Sequence, residues 1–371
     1  MNFNFFLLKP IRILLFPLSL IYFAIIFLRN RMFDKGLFKS ASFNLPLICV
    51  GNVAAGGTGK SPMTEYLVKE LKAHFKIATL SRGYKRKTSG YALANENSTA
   101  LEIGDEPMQF HLKFPDTPIA VGEARIEAIP QLLHDRPDTQ AIILDDAFQH
   151  RSVKAGMNIV LTDCNNLYTR DWYLPTGDLR DEKTSVKRAQ IIIITKCNPG
   201  LLSKEKEDIV REIEPAANQA VFFTSIRYGQ PYHIISGKPA RVSNDIEVLL
   251  VTGIANPGPL KNLLQEKSKA YYEMAYNDHH IFTIDDLKDI QKRFKSVNAP
   301  YKIILTTEKD AVRLVKFEQE LANMPLYVVP IELEFLFNEG PRFNGLIGTF
   351  IKDFSKKAEA EKHGNREKDL L

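Results

Sequence analysis

The chain of 371 residues has few cysteines and a small net charge. Cys49, Cys164 and Cys197 lie at or near the ends of apolar runs without metal-ligand spacing, so we predict core residues in a reducing compartment. A net charge of +5 suits nucleotide phosphates or a membrane face, but it is not the basic footprint of a nucleic-acid-binding protein. No internal repeat is evident. The composition, 44% hydrophobic and 25% charged residues, predicts a globular protein of two domains.

The N-terminus lacks the small-x-small site of a cleaved signal peptide, and Arg29, Arg31 and Lys35 directly follow its apolar run. That run has sixteen uncharged residues after Arg12, which is short for a straight membrane crossing of about 20 residues. A buried core helix is one interpretation. We favour a membrane-anchoring helix within residues 1–35, either spanning the bilayer or half inserted. Basic residues on both sides leave its orientation open, and the cytoplasmic location of ATP would place the rest of the chain in the cytoplasm.

A glycine-rich loop follows the apolar run Leu45–Val50, which predicts a buried strand. Met63, Leu67 and Leu71 come next at helical spacing. This order predicts a phosphate loop, whose amides contact phosphate oxygens, whose lysine reaches the β- and γ-phosphates and whose Ser61 binds Mg²⁺. The usual pattern has glycine where alanine stands at position 54. The predicted nucleotide-binding residues are Ala54, Ala55, Gly56, Gly57, Thr58, Gly59, Lys60 and Ser61.

Further apolar runs predict an α/β/α sandwich with a mostly parallel sheet around this loop. Several runs are continuous rather than alternating, as in strands that are buried on both faces. They alternate with helical patterns, which favours parallel strands. The runs are Lys76–Leu80, Pro118–Val121, Ala141–Leu144, Asn158–Leu161, Gln190–Ile194 and Ala220–Ser225.

A second, smaller α/β domain is predicted after residue 228. Gly229–Val242 is punctuated by proline and glycine and is typical of a linker or hairpin. Glu247–Gly253, Lys302–Thr307 and Leu326–Pro330 predict strands of the second domain. Charged residues from Lys356 onward predict a frayed helix or disorder. The expected division is a membrane helix at 1–35, a phosphate-loop domain at 36–228, a linker at 229–245, a second domain at 246–355 and a charged tail at 356–371.

Carboxylates after predicted strands are candidates for metal binding and proton transfer. Asp145 and Asp146 end an apolar run, where phosphate-loop enzymes hold Mg²⁺; a turn or cap is the alternative. Gln149 and His150 follow and would face the same site. Asp105 precedes a helical segment, so it is either a base that takes a proton from an acceptor hydroxyl or a complement to the helix dipole.

Two further polar clusters concern the base and the nucleotide. Residues 278–280 (Asp-His-His) lie in the second predicted domain, where a histidine could pair with Asp105 across a cleft; a helix cap or surface role is the alternative. Residues 195–198 (Thr-Lys-Cys-Asn) lack the aspartate with which GTPases read guanine, which favours ATP. No nucleophilic Ser/His/Asp set is evident, as expected for phosphoryl transfer by positioning and charge neutralisation.

In their order along the chain these motifs resemble one family, the tetraacyldisaccharide 4′-kinases of lipid A biosynthesis. Each motif alone is modest, but the ordered set is highly specific. The hydrophobic N-terminus resembles the membrane anchor of that family. The matching motifs are Gly51-Asn52 with Gly56–Pro62, Ser81–Tyr84, Gly104–Pro107, Asp145–His150, Pro175–Arg180, Asp278-His279-His280 and Thr307–Val312.

The resemblance implies transfer of the γ-phosphoryl group of ATP, with Mg²⁺, to the 4′-hydroxyl of a tetraacyldisaccharide 1-phosphate. The product would be the 1,4′-bisphosphate, lipid IVA. The enzyme would work as a monomer at the cytoplasmic face of a Gram-negative inner membrane, without nucleic acid. There are two alternatives. A membrane-anchored nucleotide switch or chaperone would hydrolyse nucleotide without a saccharide acceptor. A soluble small-molecule kinase would stay in solution without detergent.

The resemblance also implies roles for individual residues. Asp105 would be the base with His279 supporting it, Lys60 would hold phosphates, and Tyr84 would cover the nucleotide. Three departures from the family pattern are Ser61 for threonine, Ala147 for glycine and Asp181 for glutamate, none of which removes a required functional group. The expected phosphate- or substrate-contacting residues are Arg125, Gln149, His150 and Arg180.

Overall fold

The computed structural model describes residues 12–368 of the chain. Residues 1–11 of the predicted membrane-anchoring helix and residues 369–371 of the predicted tail lie outside the described residues. Two β-sheets with flanking helices form the described part. The expected α/β fold with a mostly parallel sheet around the phosphate loop is confirmed.

The larger sheet has nine strands. They are β1 (Leu47–Asn52), β2 (Ile77–Ser81), β3 (Ala92–Leu93), β4 (Ile119–Val121), β5 (Ala141–Asp145), β6 (Met157–Asp163), β7 (Ile191–Thr195), β8 (Ala220–Tyr228) and β14 (Ile331–Phe335). Their order is β14-β8-β7-β6-β1-β5-β2-β4-β3, and only the edge strands β3 and β14 are antiparallel to their neighbours. Leu47 of β1 pairs with Ile142 of β5. The carboxyl ends of the parallel strands therefore share one edge, where such sheets bind ligands.

Helices cover both faces of this sheet. In β1, Leu47 and Cys49 face one apolar cluster, and Ile48 and Val50 face the other. This burial on both faces explains the continuous apolar runs. The α-helices are α1 (Phe16–Asp34), α2 (Lys60–Leu71), α3 (Ala100–Ile103), α4 (Asp105–Lys113), α5 (Arg125–Asp135), α6 (Ser203–Ile213), α7 (Gly258–Lys267), α8 (Ile284–Ser296), α9 (Glu308–Leu314), α10 (Glu318–Leu321) and α11 (Gly340–Lys368). Helices α5 and α6 cover the first face, and α2 and α11 the second.

The smaller sheet has five strands. They are β9 (Tyr232–His233), β10 (Glu247–Thr252), β11 (Ala270–Ala275), β12 (Lys302–Thr307) and β13 (Leu326–Val329). Their order is β11-β10-β12-β13-β9, and only β9 is antiparallel to its neighbour. Leu260 and Leu264 of α7 pack on one face, while Leu287 and Ile290 of α8 pack on the other.

The C-terminal part of the chain departs from the expected division. Strand β14 pairs with β8 of the larger sheet, and Phe343 and Ile347 of α11 pack in its core. The expectation that residues 246–355 form the smaller domain is therefore wrong for 331–355. These residues belong with the larger sheet, because β14 extends its edge at β8 and α11 packs on one of its faces. The predicted linker also supplies β9 to the smaller sheet. We propose a smaller unit of residues 230–330, and helix α11 continues into the predicted tail as far as Lys368.

Helix α1 is long and apolar enough to cross a membrane, by length and composition. One stripe of the helix nevertheless contacts the loop of residues 173–185. Ser19 Oγ lies 2.7 Å from Thr176 Oγ1, and Asn30 Nδ2 donates to Asp181 Oδ1 at 2.9 Å. The opposite face is apolar and exposed, with Leu28 at 62%. The helix is thus attached by polar contacts to the larger unit, which is the part of the chain around the nine-stranded sheet, and it presents a hydrophobic face outward.

The predicted core position of the cysteines is confirmed for two of the three. Cys49 and Cys197 are buried in the cluster on one face of the larger sheet. Cys164 is only partly buried, because it follows the end of β6 at the polar edge of that sheet.

Candidate active site

The phosphate loop connects β1 to α2 in the predicted strand–loop–helix order. Gly59 has a φ of 88°, a left-handed conformation that favours glycine, directly before α2 begins at Lys60. Asn52 Nδ2 donates to Thr58 Oγ1 at 2.8 Å, and Thr195 Oγ1 donates to the Thr58 carbonyl at 2.8 Å. Ala55, Gly56 and Gly57 are exposed. The loop is therefore fixed at Thr58 and open at its tip, as an anion-binding loop must be.

A charged cluster lies at the base of this loop. Lys60 Nζ is 3.7 Å from Asp146 Oδ1, and the Arg180 guanidinium donates to both Asp146 and the Asn52 side chain. Burial raises the pKa of the Asp146 carboxyl, but Lys60 and Arg180 outweigh that effect and hold it below its usual value. Asp146 therefore remains an anion that orients two cations toward the phosphate loop.

The second carboxylate, Asp145, is only 2% exposed. Its oxygens accept from Thr64 Oγ1 at 3.2 Å and Ser81 Oγ at 3.3 Å. Burial, together with the charges of Glu106 and Asp146, raises the pKa of Asp145 to about 7. A nearby divalent cation would offset this accumulation of negative charge.

Ser61 brings a further oxygen to the same place, since its Oγ donates to Glu106 Oε1 at 3.1 Å. Hydroxyl and carboxylate oxygens are the ligands that Mg²⁺ prefers. The residues present therefore fit a magnesium ion between the start of α2 and the end of β5. Within residues 12–368, no group of three histidine, cysteine or acidic side chains forms a metal site by itself. A metal here would combine Ser61 and these carboxylates with phosphate oxygens and water.

Asp105, the first residue of α4, contacts two residues from the part of the chain that forms the smaller sheet. His279 Nδ1 lies 2.9 Å from Asp105 Oδ2, which is the pairing expected across the cleft. Arg313 Nε donates to Asp105 Oδ1 at 2.8 Å, and Arg313 Nη2 also bonds Oδ2. Burial raises the pKa of Asp105, but these hydrogen bonds outweigh it and keep that pKa below its usual value. Asp105 is therefore ionised and held at two oxygens.

The position of His279 depends on local backbone conformation. His279 has a φ of 65°, and its amide donates to the Gly253 carbonyl at 3.2 Å. A Cβ on Gly253 would lie 2.9 Å from the Asn277 carbonyl oxygen, so only glycine allows this approach. Lys309 Nζ, which can only donate, is 3.5 Å from His279 Nε2. Both ring nitrogens of His279 therefore have polar neighbours, which fixes the orientation of the ring.

A cavity of about 250 Å³ extends from the segment after β5 toward the end of α1. His150 lines it, and burial together with Arg125 and Arg82 lowers the pKa of His150 to about 4. Arg125 is 1% exposed and donates to the carbonyls of Gly122 and Asp145. The buried Nε atoms of Arg125 and Arg188 have no hydrogen-bond partner within residues 12–368. The cationic lining residues are Arg125, Arg151, Lys154 and Arg188, and the neutral His150 lies among them.

Gln149 and Tyr84 occupy different surroundings. Gln149 Nε2 donates to the Asn52 carbonyl at 2.8 Å, so this side chain supports the end of β1. Tyr84 is 64% exposed and lies beside the Lys85 ammonium, which leaves its ring accessible to a ligand. Asp181 is buried and pairs with Arg188 at 3.2 Å, and its amide donates to the Val53 carbonyl at 3.2 Å, just before the phosphate loop.

Three residues of this site had no role assigned from the sequence. Glu106 is adjacent to Asp105 in the same motif, but its contact with Ser61 requires α4 to pack against α2. Asn52 stands in a recognised motif and proves to join the loop to Arg180. Arg313 carries no local signal, because a charged residue on a short helix is usually solvated.

Comparisons with known proteins give the same family as the sequence motifs. A family model described as tetraacyldisaccharide-1-P 4′-kinase matches residues 11–351. A tetraacyldisaccharide 4′-kinase from Bacteroides thetaiotaomicron is 40% identical over 366 residues, covering 95% of this chain and 96% of the relative. One from Flavobacterium johnsoniae is 43% identical over 348 residues, covering 92% and 98%. The similarity thus extends over nearly the whole of each protein.

A solved structure is similar as well. The crystal structure of LpxK from Aquifex aeolicus in complex with ATP has a TM-score of 0.73 and 26% sequence identity to this chain. The match covers 92% of this chain and 99% of that structure. Both units described above are therefore included in the shared fold.

Proposed function

The chain belongs to the tetraacyldisaccharide-1-P 4′-kinase family, and from this premise we propose which of its residues perform the reaction. It is an ATP-dependent kinase of lipid A synthesis that phosphorylates the 4′-hydroxyl of a tetraacyldisaccharide 1-phosphate, with ATP and Mg²⁺ as cofactors. The observation that supports the assignment of residues is the Asp105–His279 pair beside the phosphate loop.

Asp105 is proposed as the base. The 4′-oxygen of the acceptor bonds to the γ-phosphorus, the bond to the bridging β–γ oxygen breaks, and ADP leaves. The hydroxyl proton passes to the Asp105 carboxylate, which His279 holds in place. Glu106, the next residue, contacts Ser61 at the start of α2, so the base stands next to the phosphate-binding residues.

The other charged side chains of the site are proposed to contact either the phosphoryl group or the magnesium ion. Lys60 and Arg180, both oriented by Asp146, are proposed to contact the transferring phosphoryl group. Ser61 and Asp145 of the expected set are proposed to hold Mg²⁺ together with Glu106, whereas the third expected ligand, Asp146, is paired with Lys60 and Arg180. When bound, Mg²⁺ neutralises charge that develops on the phosphate oxygens.

The cationic cavity is proposed to take the 1-phosphate of the substrate. It begins beside Ala147 and Phe148, directly after the Asp145-Asp146 strand end, and Phe33 of α1 lines its outer side. The unpartnered Nε atoms of Arg125 and Arg188 are donors suited to phosphate oxygens. Arg188→Gln should raise the KM for the lipid and leave the KM for ATP unchanged.

We further propose that α1 lies in the cytoplasmic face of a Gram-negative inner membrane rather than crossing it. Arg12 pairs with Asp178, and Asn30 bonds Asp181, so both ends of the helix are attached to one side of the enzyme. A helix attached at both ends cannot place those ends on opposite sides of a bilayer. The exposed apolar face then enters the lipid, as in interfacial amphipathic helices. The enzyme is proposed to be monomeric.

Transfer of radiolabel from γ-labelled ATP to detergent-solubilised tetraacyldisaccharide 1-phosphate tests the base. Asp105→Ala should lower kcat by about 10²–10⁴-fold with little change in ATP affinity. Asp116→Ala is the control, because Asp116 is exposed just after α4. Turnover of Asp105→Ala at the wild-type rate would refute the assignment, and phosphate release to water regardless of lipid would favour a nucleotide switch.

Cysteine labelling tests the membrane arrangement. In a Cys164→Ser background, Leu14→Cys and Lys35→Cys are reacted in inverted vesicles with a maleimide that does not cross membranes. An in-plane helix predicts that Lys35→Cys reacts and Leu14→Cys is protected by lipid until detergent is added. Reaction of Leu14→Cys only in vesicles of the opposite orientation would show a spanning helix instead.

A further inference from the structure

Arg313 of α9 makes more contacts with the proposed base than any other described side chain. Its Nε donates to Asp105 Oδ1 at 2.8 Å, and its Nη2 donates to Oδ2. Such a bidentate pair fixes the plane of a carboxylate as well as its position. Arg313 Nη2 also lies 2.6 Å from His279 Nδ1, so the guanidinium contacts both members of the Asp105–His279 pair.

The acceptor sites of Asp105 can be counted. An ionised carboxylate offers about four lone-pair positions, two on each oxygen. The Arg313 guanidinium and the His279 ring both lie against Oδ2 and shield it, and Arg313 Nε occupies one position on Oδ1. A single position on Oδ1 is left for an acceptor hydroxyl. The side chain of Asp105 is 13% exposed, so this position is accessible from the cleft.

Arg313 is itself held by the smaller unit. Thr307 caps α9 by accepting from the Asp310 amide at 3.2 Å, and Asp310 Oδ2 accepts from the Gly253 amide at 3.1 Å. Arg313 Nη1 also donates to the His280 carbonyl at 3.4 Å. The loop that carries His279 and the helix that carries Arg313 are therefore joined within one unit, whereas Asp105 belongs to the other.

We propose that Arg313 is a positioning residue that orients Asp105 so that Oδ1 alone receives the acceptor proton, and only while the two units are docked. This inference rests on the proposed role of Asp105 as the base. Separation of the units would withdraw Arg313 and His279 together and leave the carboxylate without a fixed orientation. Misplacement of a reacting group by about 1 Å can cost about 10²-fold in rate.

The test compares Arg313→Ala, Arg313→Lys and the control Arg293→Ala in the radiolabel transfer assay, with full-length enzyme in detergent. Arg293 is exposed on α8 in the same unit and lies near the Tyr272 ring. Arg313→Ala should lower kcat about 10²-fold and leave the KM for ATP within twofold. Arg313→Lys should stay impaired, since one ammonium cannot hold both oxygens of a carboxylate.

Guanidinium ion at millimolar concentration should restore part of the kcat of Arg313→Ala and have no effect on Arg313→Lys, whose side chain fills the site. Full activity in Arg313→Lys would overturn the proposal by showing that charge alone suffices. An equal rise in the KM for ATP would show a general structural role. If Arg313→Ala does not fold, Arg313→Lys with an unchanged melting temperature still decides between these outcomes.

Asp105→Ala, measured alongside, separates this inference from the proposed function. Turnover in Asp105→Ala would remove the base assignment and the inference with it. An inactive Asp105→Ala together with a fully active Arg313→Ala would overturn the positioning role alone.

Discussion

Lys113 at the end of α4 bridges two buried carboxylates, and its replacement by methionine should destabilise the enzyme. Its Nζ lies 2.6 Å from Glu65 on α2 and 2.7 Å from Glu308 on α9. Both carboxylates are 5% exposed. The cluster therefore joins the helix after the phosphate loop, the helix of Asp105 and the helix of Arg313. Burial, and then the charge of Glu308, raises the pKa of Glu65 to about 7.

The magnitude follows from what Lys113→Met would leave behind. Removing one partner of a buried charge pair costs about 3–5 kcal/mol, since the remaining charge is neither solvated nor compensated. Unfolding entropy of about 2.1 cal/mol/K per residue gives about 0.8 kcal/mol/K for 371 residues. The apparent melting temperature should then fall by about 4–6 °C. The loss should be larger at pH 8 than at pH 6, because a protonated carboxylate no longer repels its neighbour.

Glu65 also makes the wild-type enzyme depend on pH in a defined direction. Its folded-state pKa of about 7 exceeds the ordinary value of 4.5, so the folded state binds a proton that the unfolded state releases between these values. The contribution of this group to stability therefore falls as pH rises through that window.

Differential scanning fluorimetry of the detergent-solubilised enzyme at pH 6 and pH 8 measures these effects. Glu65→Gln should change stability by less than about 1 kcal/mol, because it replaces a carboxyl group that is partly protonated. Lys76→Met is the matched control, since Lys76 pairs with Asp138 at the exposed surface and contributes about 0–1 kcal/mol. A Lys113→Met variant as stable as wild type, or a deficit that shrinks at pH 8, would refute the reasoning.

Three more outcomes are expected. Lys60→Ala should lose triphosphate binding and phosphoryl transfer together, as measured by equilibrium binding and the radiolabel assay. His150 should stay neutral at pH 7, with an NMR titration midpoint near 4; because its folded pKa lies below 6.5, stability falls as pH drops from 6.5 toward 4. Asn30→Leu should lower the free energy of unfolding by about 3 kcal/mol, since the buried Asp181 loses a hydrogen bond; unchanged melting would contradict this.

Local chemistry explains why the phosphate loop and the larger sheet were predictable. Strand β1, the glycine-rich turn and α2 are consecutive in the chain, and each is specified by residues within a few positions of it. The same holds for Asp145, which follows the apolar residues of β5. Predicted and observed strand bounds differ by at most three residues, as at β8, where the extra residues pair with β14.

Short or exposed strands carried too little local signal. Strands β3 and β9 have two residues each, so pairing with a distant strand defines them. Strand β14 alternates apolar and acidic residues and was expected with the smaller domain. Its actual partner, β8, lies about a hundred residues earlier in the chain. Only the tertiary structure shows that β8 has an edge, opposite β7, with which β14 can pair.

The sequence by itself determined the chemistry of this protein: a triphosphate-binding loop, a carboxylate pair after a buried strand, an acidic helix start and a motif order typical of one kinase family. These features depend on residue types at short spacings, where backbone conformation and side-chain chemistry are local. Tertiary structure alone decided which side chains share the proton-accepting site. Asp105 and Arg313 are 208 positions apart, and their contact exists only because α4 and α9 pack where the two units meet. Contacts of that kind depend on the free energy of packing the whole chain, which no short pattern encodes.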